Sequence, residues 1–185
     1  MTEDNGTLSG ERFGKYQLQE LLKRGGIADV YRGLELDTNR AVAVTVLAPA
    51  LTTDPDYVAS LKNEIVQILG LAHPNIAPIV SFGEQGPYFY LVMPQFRASL
   101  RDVLTTQGRV AIAAALDMAA QIDSALTAVH GLGLIHRNIN PDNILLNDDQ
   151  ALLTGFGIVR RVALENPGRR SRRLPPPRGH LEMRH

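Results

Sequence analysis

The chain has 185 residues, of which 44% are hydrophobic and 21% are charged, so it can bury a hydrophobic core and is not a disordered polypeptide. Cysteine is absent, which excludes disulfides and thiolate metal sites and agrees with the cytoplasmic location that we expect. The N-terminus lacks the order of a signal peptide, and no stretch holds about 18 uninterrupted apolar residues, so we expect no transmembrane segment.

The first part of the chain indicates strands around a glycine-rich turn. Residues 1–12 are mostly small and polar, and we predict that they form a disordered lead-in. Apolar residues alternate loosely in Tyr16–Leu22 and in Ala28–Leu36, on either side of the pair Gly25-Gly26. This pattern predicts two strands joined by a tight turn. A third strand is predicted at Ala41–Leu47, which is rich in β-branched residues.

A helix and two further strands are predicted next. The dipeptide Asp54-Pro55 is typical of a helix start. Apolar residues then recur at helical spacing at Val58, Leu61, Ile65, Ile68 and Leu69. Strand-like runs follow at Ile76–Phe82 and Tyr88–Met93, and the segment between them has turn composition. We therefore predict a first lobe over residues 13–96 that contains five antiparallel strands and one helix.

The following part, over residues 97–159, is predicted to be mainly helical. Ser99 can cap a short helix, and a longer helix follows before the glycines at 131 and 133. One face of the longer helix carries Ile112, Leu116, Ala119, Ile122, Leu126 and Val129. A hairpin is predicted after it, with strands at Ile144–Leu146 and Leu152–Thr154.

The end of the chain has a different composition. The formal net charge is zero, but residues 158–185 contain eight arginines, two acidic residues and no lysine, which gives them a net charge of +6. Three prolines in a row and a lack of apolar periodicity predict a disordered tail over residues 160–185. Such a tail can attract nucleic acid or an acidic membrane, but without lysine or aromatic residues we expect a solvated tail.

Five short motifs occur in an order that is typical of one family. They are Gly25–Tyr31, His73–Ile76, His136–Asn138, Pro141–Leu146 and Gly155–Gly157. They resemble the phosphate-covering loop, the segment after the first long helix, the catalytic loop with its ending, and the D-F-G motif of bacterial serine/threonine protein kinases. Several motifs in register are far more specific than one glycine-rich loop.

The resemblance implies an α+β, protein-kinase-like fold with two lobes. The first lobe would contain the five-stranded antiparallel sheet plus one helix, and the second would be an incomplete, mainly helical lobe. Kinases of this kind transfer a phosphoryl group from ATP with magnesium. That chemistry needs a lysine on the phosphates, carboxylate metal ligands and a carboxylate near the attacking hydroxyl.

The nucleotide-phosphate positions depart from the family pattern. Lys23 and Ala28 replace the first and third loop glycines, whereas the pair Gly25-Gly26 can still let backbone amides approach a phosphate. Thr45 stands where the family has its phosphate-binding lysine. Glu64 matches the glutamate that pairs with that lysine, and we expect it to be a solvated helix residue. Lys23 or Arg24 could supply a substitute cation from the glycine-rich loop.

The catalytic loop and the metal positions depart in the same way. Asn138 replaces the base aspartate, and an amide has no useful basicity, so a factor of about 10²–10⁴ in rate is lost. Asn140 replaces a lysine near the transferred phosphoryl group. Gly155 replaces the metal-binding aspartate, which leaves Asn143 as the remaining metal position. A neutral amide alone is a poor magnesium ligand, so we expect weak magnesium binding or none.

The apolar positions of the family are retained. Val30, Ala43 and Leu145 match the residues that flank the adenine ring, and the hinge offers a carbonyl at Pro94 and an N–H at Phe96. These positions leave ATP binding as an expectation. A further apolar set, Ile68, His136 and Phe156, matches the side chains that stack between the lobes.

The losses therefore fall on charge, and the retained residues are those that pack. We predict an inactive pseudokinase that acts as a binding or regulatory module. A weak or unconventional ATP-dependent serine/threonine kinase is the first alternative, and a truncated kinase gene product without function is the second. Because little chain follows to cover the long helix, we expect a protein partner or self-association at the incomplete second lobe.

Overall fold

The computed structural model describes residues 8–156, which form two lobes. The first lobe contains β1 (Arg12–Phe13), β2 (Tyr16–Lys23), β3 (Ala28–Glu35), β4 (Arg40–Leu47), α1 (Pro49–Thr52), α2 (Pro55–Leu69), β5 (Ser81–Gln85) and β6 (Tyr88–Pro94). The second lobe contains β7 (Ala98–Ser99), α3 (Leu100–Gln107), α4 (Ile112–Gly131), a 3₁₀ turn (Pro141–Asn143), β8 (Ile144–Asn147) and β9 (Gln150–Leu153). The predicted tail over residues 160–185 lies outside the described residues.

The sheet of the first lobe has six strands, in the order β1-β2-β3-β4-β6-β5, and not the predicted five. The additional strand is β1, in which Arg12 is the last residue of the predicted lead-in and Phe13 is the residue after it. Phe13 is buried and its ring meets the ring of Tyr90 edge-on, with centroids 5.4 Å apart. Leu8 packs against the same cluster, and its N–H donates to the Tyr31 hydroxyl at 3.2 Å. Isolated apolar residues give no periodicity, so the sequence does not reveal this cover over one sheet face.

The opposite face of the sheet packs against α2. The predicted start of this helix is confirmed: the Asp54 carboxylate accepts hydrogen bonds from the N–H groups of Asp56 and Tyr57. The buried side chains of α2 in this cluster are Tyr57, Val58, Leu61 and Ile65, which meet Leu47, Phe89 and Leu91 of the sheet. The short helix α1 precedes α2, so the lobe has two helices and the prediction of one was wrong.

The predicted strand at Ile76–Phe82 is also wrong in its first half. The strand β5 begins only at Ser81. Ile76 instead forms an isolated parallel bridge with Leu153 of the second lobe, and the N–H of Ala77 donates to the Leu153 carbonyl at 2.9 Å. Ile76 is apolar because it belongs to the core of the second lobe, which local sequence cannot distinguish from a strand in the first.

The second lobe confirms the predicted short helix, long helix and hairpin. Ser99 and Asp102 form a reciprocal cap at the start of α3. The hairpin of β8 and β9 is joined by β7 into a three-stranded sheet. On α4, Ile122 and Val129 are buried against β9.

Helix α4 is long and apolar enough to pass as a membrane span, which is weak evidence for one. Its Gln121 side chain accepts hydrogen bonds from the Asn75 amide and the Ala151 N–H, each at 2.8 Å, and donates to the Asp149 carbonyl at 3.0 Å. These bonds join the middle of α4 to the hairpin. Only 17% of the apolar window of α4 is buried, so the helix is attached to the second lobe along part of its length.

Candidate functional site

The register of the first sheet brings the predicted adenine-flanking residues to one face. Val30 pairs with Thr45, and Ala43 pairs with Met93. Cross-strand partners and alternate residues share a face, so these four side chains lie together. The Thr154 hydroxyl of the second lobe lies 3.7 Å from the Met93 sulfur. This face of the sheet therefore looks onto the cleft between the lobes.

The far wall and the hinge of the cleft come from the second lobe and its connection. Leu145 lies in the middle of the small sheet, paired with Ser99 and with Leu152, and is half-buried. The chain leaves β6 at Pro94, and Phe96 is half-buried in the connection that follows. Proline lacks an N–H but keeps its carbonyl, so the hinge can still offer an acceptor and a donor to an adenine edge. The cleft therefore has apolar side chains on both walls, beside a hinge that keeps the Pro94 carbonyl.

Thr45 fills the lysine position without supplying charge. It is buried in β4 between Val30 and Leu91, where its β-branched side chain suits a strand interior. Glu64 lies half-buried on α2 and lines a cavity of about 280 Å³ together with Arg137. The glutamate therefore borders a cavity between α2 and the catalytic loop.

Hydrogen bonds from neutral side-chain amides connect the residues of the catalytic loop to one another. The Asn140 amide donates to the Asn138 side-chain oxygen at 2.8 Å, and the Asn143 amide donates to the Asn138 carbonyl at 2.8 Å. The Asn140 oxygen in turn accepts from the N–H of Asp142 at 2.9 Å. These bonds hold the loop in shape. None of the three amides can take a proton from a hydroxyl near neutral pH.

The metal position has lost its carboxylate and the space for it. Gly155 has a φ of +85°, and a Cβ added there would lie 2.9 Å from Cγ and from Oδ1 of Asn143. The Asn143 amide also supports the loop through its bond to Asn138. Magnesium prefers carboxylate and phosphate oxygens. The residues present therefore do not fit a magnesium ion.

The glycine-rich loop is tight, and one of its N–H donors is already bonded. A Cβ on Gly25 would lie 2.4 Å from the Ala28 carbonyl oxygen, so only glycine fits there, whereas Gly26 has open space around it. The Gly25 N–H donates to the Asp29 carboxylate at 2.9 Å. The pair Gly25-Gly26 thus keeps the loop shape that the motif predicts.

Lys23 reaches across the cleft to a residue to which the sequence analysis gave no role. Its ammonium forms an ion pair with the Asp142 carboxylate, and the Arg101 Nε lies 3.4 Å from the other oxygen of that carboxylate. The Lys23 ammonium is the main reason why the pKa of Asp142 is lowered from its usual range. The two residues are 119 positions apart, so no local sequence signal connects them.

The apolar set between the lobes is assembled as the family pattern implies. Ile68 and Phe156 belong to one buried cluster, and the His136 ring meets the Phe156 ring at 4.6 Å. One nitrogen of His136 lies 2.8 Å from the Thr154 carbonyl, and the other accepts the N–H of Asn138 at 3.2 Å. Burial lowers the pKa of His136, which is therefore a neutral packing residue.

The buried histidine predicts a pH-dependent stability. An unfolded chain binds a proton on this imidazole below a pH of about 6.5, whereas the folded chain resists protonation because the pKa of His136 is lowered. The contribution of neutral His136 to the free energy of unfolding is thus complete above about pH 6.5. It is lost as the pH falls, by at most about 1.4 kcal/mol per pH unit. Thermal unfolding between pH 8 and 5 should show this slope in the wild type and in His130→Gln, an exposed control. A slope that persists in His136→Gln would contradict the assignment.

Comparison with known proteins agrees with the motifs and the fold. A family model described as the protein kinase domain matches residues 16–173. The serine/threonine-protein kinase PknE of Mycobacterium bovis is 37% identical over 152 residues, and PknA of Mycobacterium tuberculosis is 36% identical over 156 residues. These matches cover 81% and 80% of this chain, which spans 27% of PknE and 36% of PknA.

A crystal structure gives the same result for the fold. The PknI kinase domain of Mycobacterium tuberculosis superposes with a TM-score of 0.73 at 25% identity, covering 81% of this chain and 61% of that domain. PknE and PknA are serine/threonine-protein kinases, and the two lobes are those of the protein-kinase fold. The chain belongs to the protein kinase domain family, as a bacterial serine/threonine-kinase-like member.

Proposed function

We propose that this chain is a pseudokinase, a member of the family that binds and regulates without transferring phosphate. The observation that carries this proposal is the neutral catalytic loop. Asn138 and Asn140 stand where the family has charged groups, and the side-chain amides of Asn140 and Asn143 both donate to Asn138. Phosphoryl transfer depends on positioned charge. An amide network can preserve the shape of the loop but cannot supply that charge.

The metal position supports the same proposal. Restoring a carboxylate at Gly155 requires Asn143 to move, and Asn143 is bonded to the loop. The nearby acidic residue, Asp142, is engaged by Lys23 and Arg101. Two separate requirements of the reaction, the base and the metal site, are therefore altered.

We further propose that the cleft retains residual binding of ATP without magnesium. The apolar residues Val30 and Ala43 share the cleft face of the sheet, and the hinge keeps its carbonyl at Pro94. Adenine binding relies on such apolar walls and a few polar groups. The phosphates would meet the lysine and amides of the glycine-rich loop.

Thermal unfolding with ATP, with and without magnesium, tests this function beside a phosphotransfer assay. We expect ATP at ten times its dissociation constant to stabilise the fold by about 1.4 kcal/mol, which raises Tm by about 3–6 °C. Magnesium should add nothing, and no phosphate should be transferred. Ala43→Leu should block the shift by filling the cleft, whereas Ala41→Leu, an exposed position on the same strand, should not.

The outcomes separate the proposals. Metal-dependent transfer to a protein substrate would refute the pseudokinase assignment. A shift that is insensitive to Ala43→Leu would refute nucleotide binding in this cleft. Absence of any shift would leave the chain as a binding module without nucleotide.

We also propose that the first half of α4 is a self-association surface. Ile112 is 81% exposed and Leu116 is 66% exposed, although both belong to the apolar stripe of the helix. A second copy presents the same face, so two helices can pack against each other. We also propose a cytoplasmic location for the protein.

Substitution of this face tests the association. The double variant Ile112→Lys/Leu116→Lys should weaken self-association by at least about tenfold, because each buried aliphatic side chain contributes about 1.5–3 kcal/mol. Sedimentation velocity over a range of concentrations measures the effect. Val66→Lys, an exposed position on α2, is the matched control. Equal association in all three proteins would show that another surface is used.

A further inference from the structure

Lys23 is a departure of this chain from the family pattern, and the structure shows which group it binds. Lys23 ends β2 in the first lobe, whereas Asp142 lies in the 3₁₀ turn of the second lobe. The ammonium contacts one carboxylate oxygen, and the Arg101 Nε of α3 lies 3.4 Å from the other. One carboxylate thus holds cations from both lobes at the mouth of the cleft.

Besides the Lys23 ammonium, a second hydrogen-bond donor of the glycine-rich loop also contacts a carboxylate. The Gly25 N–H donates to the Asp29 carboxylate at 2.9 Å. Asp29 lies on β3, at the end of the same loop. The ion pair between Lys23 and Asp142 connects this loop to the second lobe.

We propose that Asp142 is an internal counter-anion that competes with the phosphate chain of a metal-free nucleoside polyphosphate for Lys23. Ligand binding and the closure of the glycine-rich loop onto the second lobe are then coupled. This inference rests on the proposed nucleotide binding. It assigns Lys23 as the cation that binds the phosphates and Asp142 as the group that regulates this contact.

The strength of the ion pair suits a displaceable contact. The Lys23 side chain is 49% exposed and that of Asp142 is 30% exposed. Exposed pairs change an equilibrium by about 1.5- to 5-fold, and salt screens them. A triphosphate carries several negative charges and can replace one carboxylate, whereas adenosine cannot. An aspartate carboxylate is ionised at neutral pH, so the competition operates there.

Calorimetric titration with ATP in the absence of magnesium tests the competition, with adenosine as the probe without phosphates. Asp142→Asn should bind ATP about 1.5- to 5-fold more tightly than the wild type and should bind adenosine equally. The gain should disappear in Lys23→Ala/Asp142→Asn and at high salt. Asp148→Asn is the matched control, since Asp148 pairs with Arg97 on the exposed turn of the hairpin. A gain that equals that of the control, or that survives without Lys23, overturns the proposal.

Hydrogen exchange separates this inference from the proposed nucleotide binding. Without any ligand, amides in residues 22–30 should exchange about 1.5- to 5-fold faster in Asp142→Asn than in the wild type or in Asp148→Asn. If neither ATP nor adenosine binds the wild type, the nucleotide proposal fails, and with it the competition. Faster exchange would then still identify the ion pair as the contact that closes the loop. Unchanged exchange would overturn that role as well.

Discussion

Replacing Phe156 with alanine is expected to lower the free energy of unfolding by about 3–5 kcal/mol. Phe156 is buried in the core of the second lobe, and its ring meets the His136 ring at 4.6 Å. Its cluster also contains Ile68 of α2, so the cavity would open between the lobes. Since small domains are stable by only about 5–15 kcal/mol, a large part of the stability should be lost.

Denaturant titration or thermal unfolding measures this effect, and Tm should fall by about 6–20 °C. The matched control is Ile139→Ala, because Ile139 is 52% exposed in the catalytic loop. That substitution should change stability by less than about 0.5 kcal/mol. A small effect of Phe156→Ala would show that the set between the lobes contributes little. Packing would then not explain why these residues are retained.

Restoring the aspartate of the D-F-G motif is expected to destabilise the fold. Gly155 has a φ of +85°, which side chains rarely adopt, and its Cβ would lie 2.9 Å from Asn143. Backbone strain of this kind costs about 1–3 kcal/mol. The displaced Asn143 would also lose its bond to the Asn138 carbonyl. We therefore expect Gly155→Asp to lower the free energy of unfolding by about 1–3 kcal/mol or slightly more.

The same variant is informative about function. Gly155→Asp should gain no phosphotransfer, because Asn138 still provides no base. Gly155→Ala should show most of the destabilisation without adding charge, whereas Gly26→Ala, which has open space around it, should show little. Phosphate transfer by Gly155→Asp alone would mean that the chain has another base. Full stability of that variant would mean that Asn143 moves without cost.

The predictions that succeeded were local ones. The cap at Asp54, the reciprocal cap at Ser99 and the hairpin after the catalytic loop follow from neighbouring residues. The order of the motifs identified the family, which the comparisons confirm. Errors occurred where a residue packs against a distant part of the chain. Phe13 packs its ring against Tyr90 and so covers one face of the sheet. Ile76 forms a bridge with Leu153 of the second lobe.

The candidate site shows the same division between local properties and contacts with distant parts of the chain. That Asn138 can accept no proton, and that Gly155 can bind no metal, are properties of residue types, so the sequence by itself determined them. The role of Asp142 could not be found in this way, because its partner Lys23 is 119 residues away. Only the packing of the two lobes brings these charges together.

The sequence by itself thus determined which residue types stand at the catalytic positions of the family and which local structures the chain forms. The tertiary structure decided what occupies the altered positions: Asn143 beside Gly155, and Asp142 on Lys23. The physical reason is that acid, base and ligand properties belong to a side chain wherever it lies. Contacts across a cleft depend on how the whole chain folds, through interactions that no local pattern contains.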